Sequence, residues 1–323
     1  MATYLGTHGS KIQNYTTDPD NPNTGEVWYN ETNQVLKFQA VTTSGTWATS
    51  ADMNTANFGM GGNGTINTAL SSGGANTPTA LTSKCETFNG TAWTAQSDMN
   101  TRKYFGSNAG DSTAGLAFAG EPADPGRAGS EEFNGSTWTT TSDLNTGREA
   151  IQGTGTQTSA IATGGAPLLT ITELYNGSTW TEVNDLNQGG NSCTMAGADS
   201  STAILIGRNF SPNAQTESWN GTCWAEVNDL NTGRNGARGS GTATLALAAS
   251  SGTPATANLT ENWNGTCWST DTNLNTARDS GGAAGTNNTE SIFFGGRVEP
   301  TLYASTEEFT GAGASVTRTI STD

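Results

Sequence analysis

Residues 171–187 read ITELYNGSTWTEVNDLN, and 44 positions later residues 215–231 read QTESWNGTCWAEVNDLN. Two near-copies at that distance make this a repeat protein before any element is assigned. Working outward, the unit recurs around Trp47, Trp93, Trp138, Trp180, Trp224 and Trp268, in steps of 42 to 46 residues. Five of these tryptophans follow the same run: CETFNGTAW, EEFNGSTW, TELYNGSTW, TESWNGTCW and TENWNGTCW. Asn-Gly supplies the positive φ angles of a type I′ turn and β-formers flank it, so each run predicts two adjacent antiparallel strands. After each tryptophan comes WATSADMNT, WTAQSDMNT, WTTTSDLNT, WTEVNDLNQ, WAEVNDLNT or WSTDTNLNT. Strand side chains alternate, so Trp and the Met or Leu six residues on share one face, which must be buried. Burying one Trp removes about 200 Å² from water, an upper bound on the order of 5 kcal/mol at about 25 cal/mol per Å².

The next segments, FGMGGNGT, FGSNAGDS, AIQGTGTQ, SCTMAGAD, GARGSGTA and SGGAAGTN, are rich in Gly, Ala and Ser. Glycine weakens a strand unless backbones must approach closely, as on convergence at a central axis. Short apolar runs follow, TALSSGG, GLAFAGE, AIATGGA, AILIGRN, LALAASSG and SIFFGGR, which suit strands covered on both faces. Each repeat thus offers four antiparallel strands: a small-residue inner one, an apolar second, a third ending at the aromatic before Asn-Gly, and an outer one starting at Trp. Four such strands at this period describe a propeller blade, whose radial closure leaves only short edges. A solenoid is the competing reading, but leucine-rich and helical solenoids need signatures absent here. The expected fold is all-β, a six-bladed β-propeller over residues 46–323, preceded by a short N-terminal β-hairpin attachment segment over residues 1–45. The Trp strand is offset from the rest of its repeat, so residues 46–53 are expected to complete the last blade. SVTRTIS at 315–321 is the alternative closing strand.

Composition narrows function. Against 29 Asp+Glu stand 13 Lys+Arg, a formal net charge of −16, so the field of the molecule repels phosphate backbones and anionic lipid. Nucleic acid is not expected as a partner, nor is membrane insertion, since no apolar run reaches the roughly 20 residues that span a bilayer. MATYLGTHGSKIQNY lacks the apolar core of a secretory signal, so synthesis in the cytoplasm is expected. Cys85, Cys193, Cys223 and Cys267 make an even count, but Cys223 and Cys267 hold the same place in successive repeats, too far apart for a bridge. Free thiols are expected, and without a CxxC pair no zinc site.

Paired glycines after the second strand (Gly73–Gly74, Gly164–Gly165, Gly295–Gly296), Glu two residues before the aromatic (Glu86, Glu131, Glu173, Glu217, Glu261, Glu307), Trp six before Met or Leu, and then Arg (Arg102, Arg148, Arg234, Arg278) together resemble the kelch motif. The resemblance covers residues 47 to about 316 and implies fold rather than function. GEVWYNETNQVLKF at 25–38, followed by GTW, is similar to short segments of tail-fibre and other structural proteins of tailed bacteriophages. That resemblance implies a virion component: an exposed fibre, appendage or decoration protein in an oligomeric assembly.

Chemistry is sparse. The single histidine, His8, stands outside the repeats, and an enzyme needs acids, bases or metal ligands gathered at one place; no catalytic residue, cofactor or metal is expected. The repeat-fixed arginines are expected to tie neighbouring blades together through the recurring Glu. Asp52, Asp98, Asp143, Asp185 and Asp229 resemble a calcium ring, but Asp before Leu-Asn or Met-Asn is expected to cap its own turn. Binding remains. All six second-to-third loops carry proline (Pro78, Pro122 with Pro125, Pro167, Pro212, Pro254, Pro300) while their other residues vary. Rigid, varied loops on a constant frame suit recognition, and Leu168, Leu169, Phe210 and Tyr303 are the apolar candidates there; the bland alternative is that proline only keeps the loops from pairing as edge strands. The expected function is host-surface glycan or protein binding by a virion protein, with residues 1–45 attaching it to other virion subunits. The alternatives are a purely structural decoration protein and a cellular kelch adaptor.

Overall fold

The computed structural model describes residues 12–19, 26–41, 44–77, 80–121, 127–209, 213–253, 257–313 and 315–320. Among the described residues every regular element is a β-strand, and the architecture is all-β of a β-propeller-like kind. The chain divides into two units, Met1–Gly45 with Gly311–Asp323, and Thr46–Thr310.

The larger unit holds six four-stranded antiparallel sheets, one per repeat. Sheet I contains Gly61–Asn63, Ala69–Ser72, Cys85–Phe88 and Trp93–Ala95. Sheet II contains Ser107–Gly110, Gly115–Phe118, Ser130–Phe133 and Trp138–Thr141, and sheet III Gln152–Thr156, Ser159–Thr163, Thr172–Tyr175 and Trp180–Val183. Sheet IV contains Thr194–Asp199, Thr202–Ile206, Thr216–Trp219 and Trp224–Val227, and sheet V Arg238–Gly241, Ala246–Ala249, Thr260–Trp263 and Trp268–Asp271. Sheet VI takes Gly282–Asn287, Glu290–Phe294 and Thr306–Thr310 from the end of the unit and Thr46–Ser50 from its start, with Phe309 opposite Trp47.

Glycine in the first strands answers a steric need. A Cβ on Gly239 would stand 2.7 Å from the Met195 carbonyl oxygen, and one on Gly153 would stand 2.3 Å from the Phe118 ring. The second strands are buried on both faces, as the apolar runs predict. All six repeat tryptophans are buried with their Met or Leu partners, and each packs on the aromatic that ends the third strand, with ring centroids 5.0 to 5.4 Å apart. Six apolar clusters fill six seams. Phe133 and Trp138 close the seam between sheets I and II, Phe118 and Trp180 that between II and III, and Ile161 and Trp224 that between III and IV. Ile204 and Trp268 join IV to V, Leu247 and Trp47 join V to VI, and Phe294 and Trp93 join VI to I.

Two expectations change. The third-to-fourth connection is a four-residue loop, since Phe88 pairs with Trp93, and only its glycine is left-handed, at φ 88° for Gly90. The Asn89 side chain accepts hydrogen bonds from the amides of Thr91 and Ala92, both at 2.9 Å, which keeps Asn89 itself out of the left-handed region that a type I′ turn would require. At the other end, Thr46–Ser50 occupies the free edge of Thr306–Thr310, so Ser315–Thr319 pairs instead with Val35–Val41. Residues 311–323, read from sequence as part of the second domain, therefore belong to the smaller unit.

In that smaller unit the N-terminal hairpin, Val27–Asn30 with Val35–Val41, is the centre of a sheet flanked by Ser315–Thr319 and, in parallel, by Gln13–Tyr15. Asp18 ties it together. Its carboxylate accepts from Lys37 Nζ at 2.7 Å, Asn30 Nδ2 at 2.8 Å and buried Trp28 Nε1 at 3.1 Å. Led by the Lys37 hydrogen bond, these donors hold the carboxyl down to about 2.

Candidate functional site

A single carboxylate per repeat builds the frame. Glu173, buried in sheet III, accepts at Oε2 from the Asn145 amide (2.7 Å) and side chain (2.8 Å), both on the turn leaving sheet II. Glu86, Glu131, Glu217, Glu261 and Glu307 likewise accept from the backbone amides of Asn54, Asn100, Asn187, Asn231 and Asn275. Arg148 adds an ion pair to Glu173 at 2.6 Å with both side chains fully buried, and Arg234–Glu261 and Arg278–Glu307 repeat it. The arginines do tie neighbouring sheets, with two changes from the sequence reading. Lys103 rather than exposed Arg102 fills the aligned position, donating to the Gly129 carbonyl at 2.7 Å; burial pulls its ammonium below the usual range. Before sheet IV the aligned residue is Gly190, and Arg208 reaches Glu217 from the far end of the second strand at 3.3 Å. Because Glu takes the turn amides, the recurring Asp residues are not caps: they are exposed, and Asp98 pairs with Lys84 at 3.1 Å.

The turns after the fourth strand and the second-to-third loops share one face, because hydrogen bonds join them in every repeat: Met53, Met99, Leu144, Leu186, Leu230 and Leu274 amides donate to the carbonyls of Ala304, Ser83, Ala128, Thr170, Ala214 and Asn258. Five residues after each gripping Asn the backbone turns left-handed, at Gly59, Phe105, Ala150, Ser192, Gly236 and Ser280, with φ between 52° and 66°. Amide-to-carbonyl bonds link these residues across sheets, Gly59 to Ser280 at 2.7 Å, Phe105 to Gly59 and Ala150 to Phe105 at 2.9 Å, and Gly236 to Ser192 at 2.7 Å. They line a cavity of about 220 Å³ that all six repeats share.

Two residues further on the repeats carry Gly61, Ser107, Gln152, Thr194, Arg238 and Gly282, an even backbone with uneven chemistry. Arg238 donates from Nε to the Gly281 carbonyl at 2.5 Å and from Nη1 to the Ala237 carbonyl at 3.0 Å. Burial lowers its guanidinium to about 10, so it stays cationic at neutral pH. Arg297, on the same cavity, pairs with Asp279 at 3.6 Å and Glu299 at 3.3 Å and lies 4.2 Å over the Phe58 ring. Phe58 meets Tyr104 edge-on at 5.5 Å, and Tyr104 lies 4.1 Å from Phe105. At the other end of the first strands a second cavity, about 390 Å³, is lined by turns carrying Gly64, Gly110, Gly155, Gly197, Gly241 and Gly285. Asn63 reaches from sheet I to the carbonyls of Asn108 and Gly155, on sheets II and III, at 3.4 Å each.

The loop residues singled out by sequence lie apart. Leu168 is 48% exposed; Leu169 is half-buried, with its carbonyl accepting from the Gly190 amide at 3.2 Å; both belong to sheet III. Tyr303 belongs to sheet VI, half-buried 5.9 Å from the Arg278 guanidinium. None of these three residues lines the cavity, although Arg297, in the loop of Tyr303, does. Phe210, His8, Pro78, Pro122, Pro125, Pro212 and Pro254 lie outside the described residues. Sequence reasoning missed Arg238, Arg297, Asp279 and Phe105. A signal existed for two of them: with the repeats aligned, Arg238 stands among small or uncharged residues, and Phe105 where two other repeats have glycine.

Among the described residues no group of three His, Cys, Asp or Glu is placed to hold a metal ion, and the four cysteines are unpaired. Burial pushes the Cys85 and Cys193 thiols up to about 12, far from the reactive thiolate range. The cavity wall offers charge, hydrogen bonds and aromatic surface, which is equipment for holding a ligand. No protein-family model matches the chain, and no curated protein matches it significantly.

Proposed function

We propose that residues 46–310 are a six-bladed, kelch-like propeller acting as a non-enzymatic binding scaffold, and that its loop face meets a glycan or protein on a host-cell surface. The observation that carries this reading is the contrast on that face between a frame repeated six times and residues that differ at each repeat. Ring closure is supported by the succession of seams, the last of which sets Phe294 of sheet VI against Trp93 of sheet I at 4.7 Å, and by the Asn54 grip on Glu86. The placement on a virion, with the N-terminal segment as attachment to other subunits, rests on the likeness of GEVWYNETNQVLKF to tailed-phage structural segments. Purified full-length chain is expected to bind host cells saturably, and Leu168→Asp, which charges an exposed apolar loop residue, is expected to weaken that binding. A chain that joins particles yet never binds cells would instead identify a purely structural decoration protein.

A further inference from the structure

We infer that the cavity beside Phe105 and Arg238 is a binding site for one acidic sugar ring, the carboxylate meeting Arg238 and the ring lying against Phe105. This deepens, and rests on, the reading of the loop face as a recognition surface. Size comes first: at about 220 Å³ the cavity is smaller than the roughly 300–1,000 Å³ of drug-sized sites, so one ring rather than a chain fits. Charge comes next. In a molecule of net charge −16 this wall carries two arginines against one aspartate, Asp279, which already pairs with Arg297. Arg238 uses Nε and Nη1 on backbone carbonyls, which fixes the guanidinium plane and leaves Nη2 for an incoming carboxylate.

The uncharged groups point the same way. Asn235 Oδ1 is a buried acceptor without a hydrogen-bond partner on a residue lining the cavity; a buried acceptor left unmatched is costly, and a sugar hydroxyl would satisfy it. Phe105 adds an apolar surface, half-buried with Tyr104 behind it. A bulky residue at φ 52° is strained where glycine, present at Gly59 and Gly236, is not. A strained aromatic kept at a cavity wall is what a ring-stacking role would require.

The test titrates full-length chain with methyl β-D-glucuronide, with methyl β-D-glucoside and with acetate by calorimetry, together with Arg238→Gln and Phe105→Gly. The second variant suits the left-handed backbone, so it remains informative if the first fails to fold. Saturable glucuronide binding is expected, about ten-fold tighter than the neutral glucoside. Arg238→Gln should remove that preference, and Phe105→Gly should weaken both sugars. Absence of saturable glucuronide binding, equal affinity for the two sugars, acetate binding as tightly as the glucuronide, or indifference of both variants would overturn the inference. Host-cell binding that persists in such a case, and still responds to Leu168→Asp, would leave the loop-face reading standing.

Discussion

Glu173 shows how much one side chain carries. Its two oxygens accept from the Asn145 amide, the Asn145 side chain and Arg148, all inside a seam where neither charge reaches water. Removing one partner from such a pair strands the other charge, and Glu173→Ala is therefore expected to cost about 3–5 kcal/mol, read as a lowered urea midpoint. Lys84→Ala, which breaks an exposed pair with Asp98, should stay within about 1 kcal/mol; equal effects of the two would contradict the account. The glutamate was legible in the sequence because it is invariant across six repeats. Its cations were only partly legible, since the position is filled by Arg148, Arg234 and Arg278 directly, by Lys103 one residue after the expected arginine, and by Arg208 from just beyond the second strand. Burial asks for a positive group near the carboxylate and does not specify the strand that supplies it.

Strand order within each repeat was legible because Trp, Asn-Gly and the apolar run each mark a different strand. The turn type was not, because the Asn side chain competes with the backbone for its own loop amides. Nor was the fate of the C-terminal strand, whose pairing with Val35–Val41 depends on an edge already filled elsewhere. That small sheet has a distinctive acid response. Asp18 titrates at about 2 rather than 3.8 because Lys37, Asn30 and Trp28 hold its ionised form. A carboxyl whose folded pKa is depressed stabilises the fold fully above the unfolded value and loses that contribution as pH falls through the folded one. Between pH 3.8 and about 2 the Trp28 indole N–H resonance should therefore broaden or shift, and Asp18→Asn should abolish that step. An indole signal that stays constant to pH 2 would remove Asp18 as the tie.

At the scale of the larger unit, the succession of sheets and the cavity differ in how far sequence could reach. Periodicity counts sheets, so a sixfold architecture could be read off; the cavity depends on the residues that break the repeat, and these stand out only once Arg238 and Phe105 are known to face a shared space. The join between first and last sheets gives the proposed ring its sharpest test. Thr46–Ser50 completes sheet VI, with Trp47 on Phe309 at 5.1 Å and donating from Nε1 to Thr260 in sheet V at 3.1 Å, while Asn54 immediately after grips Glu86 in sheet I. Phe309 and Trp47 thus stand as Phe88 and Trp93 do, without the four-residue loop that joins the latter pair. Supplying that loop, as Asn-Gly-Thr-Ala between Phe309 and residues 47–55 in place of Thr310 and Thr46, and starting the chain at residue 56 keeps the Trp47–Phe309 pair and the Asn54 grip and moves only one covalent link. The added loop copies the one that already joins Phe88 to Trp93, so the permuted repeat region should unfold within about 1–2 kcal/mol of residues 46–310 and in one cooperative step, whereas deleting residues 46–55 should abolish that step. In an open array the ends of the permuted chain would have no partner across the join, and its first and last sheets would melt ahead of the rest.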